Sequence, residues 1–246
     1  MDPRLNVIED RFSAVKKIIA VSGGKGGVGK SSVSSMLALV LNNMGEKVGL
    51  MDLDFSGPTD HLILGIKDVF PEEKKGIVPP EVNGIKFMSI VYFAGDNPLP
   101  FRGGDYSNAI VEILAITKWG DLDYLIIDMP PGIGDTTLDI IRVIKNIEFV
   151  MVGNSSKLTL ETLRKVISMS RESGKKVLGI INNNMLGKGR GEEENKLESL
   201  GVPFLGEISY DTEYEFFLGD IDKLLETQFA QDLKNIISNN PEFFLK

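Results

Sequence analysis

A short stretch near the N-terminus, GKGGVGKS at residues 24–31, carries four glycines and two lysines. It matches the pattern G-x-x-x-x-G-K-[ST], in which glycines let the backbone turn tightly and point its N–H groups at phosphate oxygens. Lys30 can reach the terminal phosphates, and the Ser31 hydroxyl can bind Mg²⁺. The stretch therefore predicts a loop that binds a nucleoside triphosphate, with Lys30 among its catalytic residues. The residues expected to contact the nucleotide here are Gly24, Lys25, Gly26, Gly27, Val28, Gly29, Lys30, Ser31 and Ser32.

Three aspartates follow two apolar segments that are predicted strands. Asp52 and Asp54 end KVGLMDLD two residues apart, so strand geometry would place both side chains on one face. Asp128 ends YLIID, an apolar run closed by a carboxylate. Each aspartate alone is also typical of a turn after a strand, but the carboxyl ends of parallel strands meet where ligands bind. We expect Asp54 to orient the attacking water. The expected Mg²⁺ ligands, directly or through water, are Ser31, Asp52, Asp54 and Asp128.

A bend rich in proline and glycine, PPGIGD at residues 130–135, follows the third of these aspartates. Two interpretations of this bend remain open. It is either a rigid structural turn or a switch that changes conformation when the terminal phosphate leaves.

Apolar runs of strand length alternate with helical patterns along the chain, which predicts an α/β fold. The predicted strands are KKIIAVS, KVGLMDLD, IKFMSIVYF, LDYLIIDM, EFVMVG, KKVLGIIN and VPFLGEIS. The predicted helices cover residues 31–44, 106–118, 136–145, 158–172, 192–200 and 227–238. Because the strands are apolar throughout, both faces of the sheet should be buried. We therefore expect a single-domain P-loop NTPase over residues 1–246, with a mostly parallel central sheet and helices on both faces.

Composition excludes several kinds of site. The 246 residues include no cysteine, so this chain has no thiolate nucleophile and no cysteine-held zinc or iron–sulfur cluster. The net charge of −8 argues against non-specific binding of nucleic acid. The N-terminal residues lack an apolar leader and no stretch reaches membrane-spanning length, so we expect a cytoplasmic protein without membrane contact.

Beyond the phosphate loop, several stretches resemble one family. They are GGKGGVGKSSVSSMLALVL, VGLMDLDFSGPT, GIVPPEVNGIKFMSI, PLPFRGG, WGDLDYLIIDMPPGIGDTTL and GVPFLGEIS, in family order. Together they resemble the Mrp/ApbC branch of the MinD/ParA/NifH-like ATPases, whose deviant Walker A loop has an early lysine and whose members assemble iron–sulfur clusters. The resemblance implies a Mg²⁺-dependent, slow ATPase that forms a homodimer and acts as a nucleotide-gated switch on a client protein. The tail from about residue 211 diverges from the family.

The resemblance also implies roles for two residues. Lys25 would be a catalytic cation that contacts phosphate in the partner subunit, comparable in logic to an arginine finger. The other interpretation of Lys25 is a solvated loop charge. Asn183 matches the family asparagine that binds adenine, with Asn182 or Asn184 in its place if the register shifts; ATP is then preferred over GTP.

One departure from the family concerns the cluster itself. The family's carriers have a CxxC segment after this asparagine, whereas the present sequence continues NNNMLGKGRGEEENKLESLGVPF. Either the chain is an ATPase that works with a cysteine-bearing protein, or it has left cluster chemistry. The alternatives are a ParA/MinD-like positioning or partner-binding switch and a binding module whose hydrolysis is vestigial.

Overall fold

The computed structural model describes residues 2–94, 104–154, 156–184 and 197–245, and a twisted central sheet organises them. The strands are β1 Val15–Gly23, β2 Val48–Asp52, β3 Glu72–Glu73, β4 Ile77–Val78, β5 Glu81–Val82, β6 Ile85–Ser89, β7 Leu122–Asp128, β8 Ile147–Gly153, β9 Lys176–Asn183 and β10 Phe204–Ile208. The sheet has the order β10-β9-β8-β1-β7-β2-β6-β5. All neighbours in it are parallel except β5 and β6, and β3 and β4 form a separate antiparallel pair.

Helices cover both faces of this sheet, as parallel strands require for their crossovers. The helices are α1 Arg4–Phe12, α2 Lys30–Asn43, α3 Asp60–Ile63, α4 Val91–Ala94, α5 Gly104–Ile116, α6 Asp135–Val143, α7 Lys157–Glu172, α8 Ile221–Glu226, α9 Gln228–Asn239 and α10 Pro241–Phe244, with a 3₁₀ turn at Tyr214–Phe217. Alternate residues of β1 enter two apolar clusters, one shared with α2, α8 and α9 and the other with α1, α5, α6 and α7. The predicted α/β architecture is confirmed.

The C-terminal helices belong to the first of these clusters. The apolar face of α9 is buried, and its members are Phe229, Leu233, Ile236 and Ile237. Tyr124, in the middle of β7, donates its hydroxyl hydrogen bond to the backbone carbonyl of Phe244. The divergent tail therefore contributes to the core that also supports the phosphate loop.

Several elements differ from the sequence predictions, which also lacked β3, β4, β5, α3, α8 and α10. The segment IKFMSIVYF is a strand only as far as Ser89, after which Val91–Ala94 form α4. Ser89 is the last residue of β6 in register with β2, opposite Asp52, so the run loses its strand partner there. The sequence prediction also omitted α1, whose Ile8 and Phe12 are buried against the sheet. Most of the predicted helix at 192–200 lies outside the described residues.

Replacement of Leu233 by alanine tests whether the tail supports the core. Leu233 is fully buried, so Leu233→Ala should lower the free energy of unfolding by about 2 to 5 kcal/mol. Its exposed neighbour provides the control, because Lys234→Ala should change stability by less than about 0.5 kcal/mol. Urea denaturation followed by circular dichroism measures both, and equal losses in the two variants would contradict the packing of α9.

Candidate functional site

The predicted phosphate loop connects the end of β1 to the start of α2. Gly27 and Gly29 have φ angles of 75° and 86°, in the left-handed region that only glycine enters without strain. A Cβ atom built on Gly26 or Gly27 would contact no atom within 4 Å, so this side of the loop is open. Backbone N–H groups and the N-terminus of α2 can therefore face an anion at the open side.

The opposite side of the loop is tightly packed. A Cβ atom on Gly24 would lie 2.1 Å from Oγ1 of Thr162 and 2.8 Å from the backbone nitrogen of Leu163, both in α7. Asn183, at the end of β9, donates a hydrogen bond from Nδ2 to the carbonyl of Val28 at 3.0 Å. The loop is thus held by α7 and β9 as well as by the strand and helix that it connects.

The two lysines of the loop lie in different environments. Lys30, the first residue of α2, is 5% exposed, whereas Lys25 is exposed. A buried ammonium group needs anionic partners, and an exposed one can interact with groups outside the chain. The two side chains are therefore suited to different roles.

Three carboxylates come together below the loop. Oxygen atoms of Asp52, Asp60 and Asp128 all lie within 4.8 Å of one another, and none of the three residues is exposed. Asp52 and Asp128 are paired in the register of β2 and β7, which explains their proximity. Asp60 joins them from another element, because it is the first residue of α3.

Hydroxyl groups from the first turns of α2 hold two of these carboxylates. Ser31 Oγ donates to Oδ2 of Asp128 at 2.6 Å, and Ser34 Oγ donates to Oδ1 of the same group at 3.1 Å. Ser35 Oγ donates to Oδ1 of Asp60 at 2.8 Å. Residues three and four apart share a helix face, so the spacing of these serines places their hydroxyl groups on the same face of α2, toward the carboxylates.

Burial dominates the electrostatics of the three carboxylates. Burial and then the charge of Asp128 raise the pKa of Asp52 and of Asp60 well above the usual range. Burial also raises the pKa of Asp128 to about 6, although the Ser31 hydrogen bond and the charge of Lys30 oppose the shift. The cluster therefore binds protons more strongly than separate surface carboxylates do.

The donor set fits a hard divalent cation. Oxygen ligands from carboxylates and a hydroxyl are those that Mg²⁺ prefers. One carboxylate oxygen, Oδ2 of Asp60, is fully buried and has no hydrogen-bond partner, and a bound cation would satisfy it. Asp60 was not among the predicted ligands. The signal in the sequence is a carboxylate eight residues after Asp52, behind the turn SGP, which only the fold brings back to the strand end.

Asp54 lies beside this cluster rather than in it. Its backbone N–H donates to Oδ1 of Asp52 at 3.0 Å, while its carboxylate accepts a 2.6 Å hydrogen bond from Ser56 Oγ. The expectation that Asp52 and Asp54 share a strand face was wrong, because β2 ends at Asp52. Asp54 is 9% exposed and its role with water stays a prediction.

A cavity of about 590 Å³ adjoins the start of α2. Its walls include Ser32, Asn183, Tyr214 and Phe216. Asn183 also lines this cavity. The asparagines on either side of it, Asn182 and Asn184, donate hydrogen bonds to Glu207 instead. The role of Asn183 with adenine stays a prediction.

The bend after β7 lies near the segment that carries Asp54. Pro130 and Pro131 line a cavity of about 270 Å³ together with Phe55 and Ser56. Whether the bend acts as a switch stays a prediction.

Comparison with known proteins identifies the family. The model of the ParA family described as NUBPL iron-transfer P-loop NTPase matches residues 14–239. The chain belongs to this family. The resemblance of the sequence to the Mrp-type branch of the MinD/ParA ATPases is confirmed.

Curated relatives at more than 30% identity agree with this assignment. The iron-sulfur cluster carrier protein of Methanococcus maripaludis is 39% identical over 83% of this chain and 76% of its own length. The carrier of Aquifex aeolicus is 37% identical over 82% of this chain, and the match spans 60% of the length of that relative.

Solved structures share the fold. A nucleotide-binding protein from Archaeoglobus fulgidus, in complex with ADP, has 31% identity and a TM-score of 0.75 and covers 90% of this chain and 93% of its own. The septum site-determining protein MinD of Pyrococcus horikoshii, complexed with Mg-ADP, has 21% identity and a TM-score of 0.69 over 91% of this chain and 95% of its own. The second likeness shows the fold alone. Within the described part of the chain, no helix is both long and apolar enough to cross a membrane.

The packing of the phosphate loop on α7 can be tested with a pair of glycine variants. Gly24→Ala should lower the free energy of unfolding of the nucleotide-free chain by about 1 to 3 kcal/mol, because the new Cβ meets the α7 backbone. Gly26→Ala adds the same atom to open space in the same loop, and should change stability by less than about 0.5 kcal/mol. Thermal and urea unfolding compare the two, and equal stabilities would contradict the described contact.

Proposed function

We propose that this chain is a Mg²⁺-dependent ATP-binding protein and slow ATPase, and that it acts as a dimeric nucleotide-gated switch in iron–sulfur assembly. The observation that carries the proposal is the hydrogen bond that Ser31, in the phosphate loop, donates to the carboxylate of Asp128 at the end of β7. It joins the residue expected to bind phosphate-linked Mg²⁺ to the carboxylate expected to support the same ion. Held by these two residues, the Mg²⁺ ion would neutralise charge on the terminal phosphates.

The loop would hold the triphosphate through its N–H groups and Lys30. Lys30 is buried at the start of α2, where its charge also acts on Asp128. Removal of this ammonium group would leave the phosphates without their main fixed positive charge. Lys30 is therefore assigned to binding as well as to stabilisation of charge in the transition state.

Asp54 would orient the attacking water. Its carboxylate is held in place by Ser56 but is not buried completely, so it can contact a water molecule at the edge of the carboxylate cluster. A carboxylate positioned in this way can accept a hydrogen bond from the water and align it for attack.

The exposure of Lys25 supports a role across a dimer interface. Lys25 is exposed in the loop, so its ammonium group would be available to phosphate bound in a second copy. A cation supplied in this way stabilises charge that develops in phosphoryl transfer. The site would then be complete only in the homodimer.

The cavity beside α2 would take the nucleoside. Asn183 lines it, and an amide can match both a donor and an acceptor on the edge of adenine. Asn183 also contacts the carbonyl of Val28, so the same side chain touches the phosphate loop and the cavity. This arrangement favours ATP as the nucleotide.

The link to iron–sulfur assembly rests on the relatives. Relatives at 37 to 39% identity are named iron-sulfur cluster carrier proteins, and one from Drosophila grimshawi, at 33%, is named a cytosolic Fe-S cluster assembly factor. Since the chain has no cysteine, any thiolate ligands of a cluster must come from a partner protein. We place this activity in the cytoplasm. The rival function, a positioning switch, draws on MinD structures of 18 to 21% identity, which share only the fold.

Alanine variants of the two lysines separate binding from hydrolysis. Lys30→Ala should abolish ATP binding measured by calorimetry. Lys25→Ala should retain binding but lower the rate of phosphate release at least about tenfold, because it removes only a cation that acts on the transition state. Lys165→Ala, an exposed lysine on α7, serves as the control and should behave as the parent. An unchanged hydrolysis rate in Lys25→Ala would remove the trans-acting lysine from the proposal.

Affinity capture with a trapped variant tests the biological assignment. Asp54→Ala should bind ATP without completing hydrolysis, and material captured with it should contain iron, labile sulfide and a cysteine-bearing protein. Lys30→Ala, which should not hold ATP, is the matched control and should capture none of these. Capture of DNA or lipid by Asp54→Ala would favour the positioning switch, and a cluster bound by the purified chain alone would contradict the cysteine argument.

A further inference from the structure

The carboxylate cluster concentrates three acidic side chains in the interior. Asp52, Asp60 and Asp128 are all fully buried, and the ammonium group of Lys30 acts on the last two. Three ionised carboxylates beside this ammonium group would leave an excess of negative charge. Such a charge is costly unless protons or a cation compensate it.

Asp60 is the member of the cluster whose bonding is incomplete. Its Oδ1 accepts a hydrogen bond from Ser35, but its Oδ2 is buried without a partner. Asp128, in contrast, accepts a hydroxyl on each of its oxygens, from Ser31 and Ser34. Within the described residues, the carboxylate group of Asp60 offers an oxygen within 4.8 Å of oxygens from two further carboxylates, close enough to share a cation with them.

The three side chains are positioned by the protein alone. The α2 hydroxyls fix Asp60 and Asp128, and the backbone N–H of Asp54 fixes Asp52. No phosphate oxygen is needed to bring the carboxylates together. Oxygen ligands about one Mg²⁺ ion lie roughly 3 to 4 Å apart, since each is about 2.1 Å from the metal. The cluster, with its ligand atoms within 4.8 Å, needs only small movements to reach that spacing.

We propose that Asp60 completes a three-carboxylate site that binds one divalent cation of the Mg²⁺ or Mn²⁺ class before nucleotide arrives. A Mg²⁺ site of the usual phosphate-transfer type uses one or two carboxylates and takes its other charged ligands from the substrate. A third buried carboxylate supplies that charge from the protein instead. The inference rests on the proposed function for the location of the Mg²⁺ site, and it adds the order of binding.

Titration of the nucleotide-free protein with Mn²⁺, followed by electron paramagnetic resonance of the free ion, tests the proposal. The parent should bind one Mn²⁺ per chain. Asp60→Asn, which keeps the shape of the side chain but removes its charge, should weaken this binding at least about tenfold. Asp68→Asn makes the same chemical change at an exposed position eight residues further along, and should bind Mn²⁺ as the parent does.

Thermal unfolding provides a second measurement that does not depend on activity. Without metal, Asp60→Asn should stay folded with a melting temperature near that of the parent, because asparagine keeps the shape of the side chain. Mn²⁺ should raise the melting temperature of the parent and of Asp68→Asn, and should leave that of Asp60→Asn nearly unchanged. A folded, stable Asp60→Asn variant would show that lost binding is not lost folding.

Two results would overturn the proposal: no Mn²⁺ bound by the nucleotide-free parent, or equal Mn²⁺ affinity in the parent and Asp60→Asn. The outcome is separable from that of the proposed function. Failure of the parent to bind ATP, with Mn²⁺ bound normally, would count against the nucleotide site only. ATP bound by the parent, with no Mn²⁺ bound in its absence, would count against the preformed cation site only.

Discussion

The carboxylate of Asp128 lies inside the sheet, where burial opposes its charge, and α2 holds it there with two hydroxyl groups. A buried carboxylate without such partners costs several kcal/mol, so the serines of α2 and the end of β7 constrain each other. Since α2 begins at Lys30, the same contacts fix where the phosphate loop ends. The position of the phosphate loop thus depends on the hydrogen bonds that stabilise the buried carboxylate of Asp128.

The loop is rigid on one side and open on the other for steric reasons. Gly24 brings the loop against α7 with no room for a side chain, whereas Gly26 and Gly27 face open space. Glycine therefore serves two different purposes within four residues. Close packing fixes the backbone before a ligand arrives, and the open side lets that ligand approach the N–H groups. Such preorganisation lowers the ordering cost of binding.

The sequence predicted the features that depend on neighbouring residues. The glycine and lysine spacing of the loop and the apolar runs of the central strands are local signals, and the parallel sheet follows from their alternation. Asp60 was missed because its approach to Asp128 depends on a return of the chain after β2 that no short pattern encodes. The same limit explains Asp54, where the strand ended two residues earlier than the apolar run suggested. The contacts that distinguish the three asparagines likewise depend on β10, whose Glu207 accepts hydrogen bonds from Asn182 and Asn184.

The short helix that begins at Asp60 also connects the carboxylates to the cavity. Beyond its end, Gly65 lies so close to Gly219 that a Cβ atom would come within 2.5 Å of the carbonyl oxygen there. Gly219 in turn donates to the carbonyl of Ile63 at 3.0 Å and follows the 3₁₀ turn that carries Tyr214 into the cavity wall. This contact leaves no room for a side chain at Gly65. The segment that begins at Asp60 therefore packs directly against the turn that supplies a wall of the cavity, and this contact does not involve the phosphate loop.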